Sequence, residues 1–211
     1  TSPLSGGALL GDRIRLSVLD DKSKSDSIYV RSVATRSSSG SVPSIVKGLA
    51  NHLLAESFDI VIIETVGAGQ SEMRCAAIAN RIVVVEGPAR GDGIQAEKAG
   101  LLELADLIVV NKSDLDGVDR VVNDLTISLS LTNDAPQIIK TSTITEEGLD
   151  ELANVIMNLE ERISSKRARC RQQLIMAHEN ILITNPNFEA ILDRMSQEGL
   201  ELVDALRELS E

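Results

Sequence analysis

Asn111-Lys112-Ser113-Asp114 follows the apolar run Leu107–Val110, and these residue types in that order suit the reading of a guanine ring. A carboxylate in the fourth position accepts two hydrogen bonds, from the N1–H and the exocyclic N2–H of guanine. Adenine offers no such donor pair, so a carboxylate aimed at it is left unpaired. Sites built to hydrogen-bond a ligand reject analogues that lack the bonding group for that reason. Lys112 has an aliphatic stem that can lie along the base, and Asn111 can tie the loop together. Asn-Lys-x-Asp also occurs by chance in surface loops, so its place behind a buried strand gives it weight. Thr141-Ser142-Thr143 follows the short run Gln137–Lys140. It fits a companion loop whose backbone meets the guanine carbonyl, or else a plain polar turn.

A second constellation is Glu64-Thr-Val-Gly67-Ala-Gly69-Gln70-Ser71-Glu72, directly after Asp59-Ile-Val-Ile-Ile63. An acid at a strand end suits a Mg²⁺-bound water. Gly67 permits a backbone N–H to approach a γ-phosphate closely, and Gln70 can orient an attacking water. The plainer reading is an acid and a glycine-rich turn capping a strand. Asp12, in Gly11-Asp12-Arg13-Ile14-Arg15, is a candidate second acid for the metal, or a helix N-cap. Asp92, Gln95 and Lys98 open a helix. They form either a mobile loop that reports nucleotide state or an ordinary capped helix start.

Alternating elements must hold these loops. Helical spacing predicts helices over 45–54, 94–105 and 118–125, and one amphipathic helix from Leu149 to Ile163. Strands are expected at Ile28–Arg31, Asp59–Glu64, Arg81–Glu86, Leu107–Val110 and Gln137–Lys140. Strands alternating with helices give an α/β, mainly parallel, doubly wound sheet. Ligands of such sheets bind beyond the carboxyl ends of the strands, where every motif above falls. From about Arg162 the pattern changes to a basic cluster (Arg162, Lys166, Arg167, Arg169, Arg171) and helical stretches broken at Asn185-Pro186-Asn187. The expected division is a sheet domain over 1–162 and a helical arm over 163–211. The basic run reads as a solvated helix face or a partner-docking face.

Composition narrows the function classes. The 211 residues suffice for one sizeable core and an appendage. Aromatics make up 1%, with no Trp, so the core must be aliphatic and stacking on single-stranded nucleic acid is disfavoured. A net charge of −11 opposes non-specific nucleic-acid binding. Cys75 and Cys170 match no metal or redox spacing and suit a reducing compartment. No apolar run approaches the ~20 residues of a membrane span. The expected partners therefore include neither nucleic acid nor membrane.

Taken together, SPLSGGALLGDRIRL, ATR, FDIVIIETVGAGQSE, GDGIQAEKAG, LADLIVVNKSDL and the TST–EEGLDEL segment resemble the MeaB/ArgK family of G-protein chaperones for adenosylcobalamin-dependent methylmalonyl-CoA mutase. The resemblance runs from Thr1 to about Asn158, and more loosely through the helical arm. It implies a P-loop-NTPase-type fold, GTP and GDP as ligands, Mg²⁺, and a homodimer formed through the arm. The implied partner is methylmalonyl-CoA mutase or a related mutase. The implied activity is GTP hydrolysis by a metallochaperone that gates adenosylcobalamin loading, in the cytoplasm or, in a eukaryote, the mitochondrial matrix. By the same resemblance Asp12 and Glu64 join the Mg²⁺ and switch network, and Asp92 and Lys98 couple the mutase to hydrolysis. Asn111, Lys112 and Asp114 take the guanine.

The sequence departs from that family in places. GxxxxGK[ST] occurs nowhere in it, so the phosphate loop and first strand, roughly thirty residues or more, are expected upstream of Thr1. The chain as written is expected to bind GTP poorly and to hydrolyse hardly any. Arg90 and Gly93 differ from the family's usual loop, and Asn80 stands where an Asp is common. The rival expectation is a nucleotide-blind scaffold that only docks the mutase. A nickel-insertion GTPase is disfavoured by the lack of a His/Cys-rich tract.

Overall fold

Three short aliphatic runs build the sheet: β1 (Val83–Glu86), β2 (Leu107–Asn111) and β3 (Gln137–Thr141). In the computed structural model, which describes residues 28–33, 44–65, 70–88 and 96–210, they are all parallel, in the order β1-β2-β3. Val83 pairs with Leu107 and Leu107 with Gln137, so the strands start level. Their carboxyl ends therefore finish side by side. β2 lies centrally and is buried on both faces, as its unbroken Leu-Ile-Val-Val run requires.

The helices are α1 (Ser44–Ala55), α2 (Gln70–Cys75), α3 (Ala96–Leu104), α4 (Val118–Leu129), α5 (Leu149–Met157), α6 (Ile163–Thr184), α7 (Phe188–Gln197) and α8 (Leu202–Ser210). On one face Val84, Ile108 and Val110 pack with Leu102, Leu104, Val118, Leu125 and Leu129 from α3 and α4, with Met73 of α2 and Ala168 of α6 joining at the margin. On the other face Leu107, Val109 and Ile139 meet Leu152, Val155 and Ile156 of α5. Each fully buried Leu, Ile or Val contributes about 1.5–3 kcal/mol. Together these layers form an open α/β sheet of the P-loop-NTPase type. α5 does not reach over β1, where Val85 remains 63% exposed.

Two expected strands do not form. Residues 28–33 and 60–65 have no regular structure. Among the described residues β1 pairs only with β2, so Asp59–Glu64 has no ladder to satisfy its backbone groups. Ile62 is 83% exposed, while Ile63 packs with Val33, Val46, Cys75 and Ile78 in a small separate cluster. The helix expected over 149–163 is also corrected: α5 stops at Met157 and α6 starts at Ile163. Periodicity runs through the break because Leu159 still packs under the sheet, but Ile163 is 86% exposed.

That break serves an ionic anchor. Asp106, immediately before β2, accepts hydrogen bonds from Ile82 N–H (2.9 Å), Arg162 N–H (3.2 Å), Ser165 Oγ (2.6 Å) and Arg169 Nη1 (2.6 Å). Arg169 also bonds Glu161 at 2.7 Å. Arg162 reaches the carbonyls of Ala105 and Asp134 and forms an ion pair with Asp134. Within the basic run, Arg169 is thus buried and Arg162 is turned inward, leaving Lys166, Arg167 and Arg171 exposed. A Ser164 N–H bond and the nearby Arg162 charge hold Asp134 below its ordinary value, and the Arg169 bond does the same for Glu161. Burial alone would pull Arg169 down, but its bonds to Glu161 and Asp106 leave it raised.

Beyond the anchor, α6 stays against the sheet layer through Gln173, which bonds the Ala77 carbonyl, and Glu179, paired with Arg74 at 2.8 Å. α7 and α8 then form a hairpin closed by Arg194–Glu208 and by Asn185 Nδ2 on the Leu209 carbonyl.

Candidate functional site

The carboxyl ends of β2 and β3 each run into a polar loop, and the two loops are bonded to each other. β2 ends at Asn111, whose Oδ1 accepts the Lys112 N–H (2.8 Å) and the Thr141 hydroxyl (3.3 Å). Lys112 then adopts φ 65°. A left-handed lysine costs of order 1–3 kcal/mol and persists only where its surroundings impose it. Here it turns the chain sharply off the strand and leaves its own side chain exposed. Ser113 N–H bonds the Thr141 carbonyl at 2.9 Å, which fixes this loop against β3.

Ser142 holds the pair together from beneath. It is fully buried, and its hydroxyl satisfies all its bonding capacity. It accepts the Ile144 and Thr145 N–H groups, each at 3.2 Å, and donates to Asp114 Oδ1. Asp114 is exposed, and among the described residues its Oδ2 has no partner. One oxygen is locked and the other presented, an arrangement suited to accepting the donors of a bound ring. Thr143 is exposed beside it, and Thr141 is buried.

The turn after Thr143 is under steric control. Glu146 has φ 61° and Gly148 φ 72°. A Cβ on Gly148 would sit 2.1 Å from the Lys140 carbonyl oxygen, so only glycine lets this turn close on β3. Between the two lies Glu147. Its carbonyl accepts Ser142 N–H at 3.0 Å, and its carboxylate accepts Ser113 Oγ at 3.0 Å. No signal in the sequence marks Glu147 or Ser113 as loop ties, because both are ordinary polar turn residues.

The remaining candidates are less grouped. Glu64 is exposed at the end of the irregular 60–65 stretch. Asp12, Gly67, Asp92 and Gln95 lie outside the described residues, as do the side chains of Gln70, at the start of α2, and Lys98, within α3. Among the described residues no three His, Cys, Asp or Glu side chains are grouped as a metal site. His52 and His178 lie exposed on helices. No helix among the described residues is long and apolar enough to cross a membrane.

Comparison with known proteins gives this arrangement its family. The family model described as methylmalonyl-CoA mutase-associated GTPase MeaB matches residues 1–198. The chain belongs to the MeaB family. A Pyrococcus abyssi protein, provisionally named a GTPase, is 33% identical over 222 aligned positions, covering 95% of this chain and 68% of that protein. The GTPase ArgK of Escherichia coli is 29% identical, over 82% of this chain and 54% of ArgK. The mitochondrial methylmalonic aciduria type A homolog of mouse is 34% identical, over 72% of this chain and 38% of the mouse protein. The chain thus spans between 38% and 68% of the length of these relatives. GTP hydrolysis and association with methylmalonyl-CoA mutase are what the names of this MeaB family and its relatives carry.

Proposed function

We propose that the protein carrying this chain is a guanine-nucleotide-binding GTPase that assists methylmalonyl-CoA mutase or a related adenosylcobalamin-dependent mutase. The observation that carries this reading is Asp114, with one carboxylate oxygen tied to buried Ser142 and the other presented between two bonded loops. In this reading Asp114 takes the N1–H and N2–H of guanine. Asn111 holds the loop, the Lys112 stem flanks the ring, and Thr141–Thr143 supply the loop that meets the guanine carbonyl. Family membership supports the mutase as partner.

The catalytic half of the reading rests on Glu64, Gly67 and Gln70. Glu64 is an exposed hard oxygen donor of the kind Mg²⁺ takes, and with Asp12 it would hold the ion. When bound, the ion would neutralise phosphate charge. Gly67 offers a backbone N–H to the γ-phosphate and Gln70 orients the attacking water. Asp92 and Gln95, with Lys98 in the first turn of α3, belong to the segment that couples nucleotide state to the mutase. Residues 1–162 form the nucleotide domain. Residues 163–211 form the arm of a homodimer, rooted on the sheet through Arg169. The aliphatic residues that α6 and α8 expose, Ile181, Ile183, Leu202 and Val203 among them, support that assembly. The output is gated adenosylcobalamin loading, in whichever compartment holds the mutase.

The deciding experiment compares GDP and ADP affinity in the whole gene product, wild type against Asp114→Asn. Loss of a hydrogen bond to a charged group predicts a drop of about 10- to 100-fold in the GDP preference. Equal affinity for both nucleotides in the wild type would sink the guanine assignment. A nucleotide-blind scaffold that only docks the mutase is the second reading. It requires mutase binding that does not change between GDP and a non-hydrolysable GTP analogue.

A further inference from the structure

The third position of the guanine loop, Ser113, is tied on two sides to the neighbouring loop. Its N–H bonds the Thr141 carbonyl and its hydroxyl bonds Glu147. Glu147 in turn holds Ser142 through its backbone carbonyl, and Ser142 holds Asp114. The ring of contacts Ser113–Glu147–Ser142–Asp114 therefore closes on itself. Two left-handed residues flank Glu147, and Gly148 is pressed against the Lys140 carbonyl. The backbone of Glu147 thus has little freedom, and its carboxylate is delivered to Ser113 by a rigid turn.

We propose that Glu147 is a positioning residue for base recognition. Its carboxylate clamps Ser113, and through it sets the angle at which the neighbouring Asp114 presents its open oxygen to the ring. This rests on the guanine reading above. A base-reading carboxylate must meet two donors in one plane, so a small rotation of its loop costs both bonds, whereas phosphate contacts elsewhere are unaffected. The clamp thus acts on discrimination between bases rather than on nucleotide affinity in general.

The test uses the whole gene product with Mg²⁺ and measures GDP and ADP affinities by displacement of a fluorescent GDP analogue. Four single variants serve, Asp114→Asn, Glu147→Ala, Glu147→Gln and Ser113→Ala, together with the Glu147→Ala/Ser113→Ala double variant. Glu147→Ala is expected to lower the GDP-to-ADP preference about 2- to 10-fold, the range of one partly exposed hydrogen bond. Glu147→Gln keeps an acceptor oxygen and should stay within about twofold of wild type on the same scale. Ser113→Ala should match Glu147→Ala, and the double variant should be no worse than either alone, because they remove one shared bond. If Asp114→Asn lowers the preference but Glu147→Ala and Ser113→Ala do not, the clamp is overturned and the guanine reading stands. Should Gln fail to restore what Ala removes, the acceptor role is overturned. If none of the four shifts the preference, the guanine reading fails and takes the clamp with it. Where Glu147→Ala also lowers the melting temperature, Ser113→Ala decides, since it leaves the Glu147 turn intact.

Discussion

The central strand carries a carboxylate near each end, and the two are treated in opposite ways. Asp106, at the amino end of β2, is buried and receives four donors. Asp114, beyond the carboxyl end, is exposed and has one oxygen bonded. A saturated buried carboxylate has no capacity left for a ligand, and its bonds go into joining strand, loop and helix. A carboxylate with one oxygen locked and one open is oriented and still able to bind. Both ends of a parallel strand thus present polar groups, but only the carboxyl end keeps its groups available, where open α/β sheets place ligands.

The strongest way to break this contrast is at Asp106. Removing Arg169 by substitution to Ala leaves Asp106 and Glu161 without their guanidinium, and breaking a buried pair costs about 3–5 kcal/mol. Urea unfolding should show that loss in full, whereas Asp114→Asn should change stability by less than about 0.5 kcal/mol. Comparable losses at the two sites would end the comparison. Replacing Asp106 and Arg169 together with apolar residues should recover little of the loss, because Ile82 N–H, Arg162 N–H and Ser165 Oγ then lose their acceptor.

Gly148→Ala should come next, at about 1–3 kcal/mol, because a left-handed φ and a carbonyl contact oppose any side chain there. It should also weaken GDP preference, which Arg169→Ala should not do while the protein remains folded. The two ends would thereby be separated by readout as well as by size.

Acid provides a gentler probe. Asp134 and Glu161 titrate below their ordinary values in the folded protein. Their stabilisation is complete above the unfolded-state value, near pH 4. It is lost as pH falls through the lower folded value. The slope of stability against pH in this range should flatten in Asp134→Asn and Glu161→Gln, as followed by far-ultraviolet circular dichroism. The smallest effect is a difference in labelling. Cys75 is buried, which raises its thiol pKa, whereas Cys170 is exposed. A thiol reagent at neutral pH should modify Cys170 in the native protein and reach Cys75 only on unfolding.

The sequence placed β1, β2 and β3, the helices that follow them and the Asn111–Asp114 loop, since each depends on local pattern: aliphatic runs, helical spacing and a short polar string. Asp59–Glu64 shares the aliphatic pattern of β2 yet forms no strand, because a strand exists only where a partner backbone accepts its hydrogen bonds. The single helix expected over 149–163 divides for a similar reason. Leu159 and Ile163 keep the spacing, but Arg162 leaves the helix to reach Asp106 and Asp134. Nor does an arginine-rich run announce which of its members turns inward.

Residue type and order alone determined the α/β class, the aliphatic core and the polar string Asn111–Asp114 at the end of the central strand. Tertiary structure decided which carboxylate is saturated, that Ser142 lies under Asp114, and that Ser113 is tied to Glu147 across 34 positions. Those contacts join residues far apart in the chain, and no local pattern encodes the geometry that brings two strand ends level.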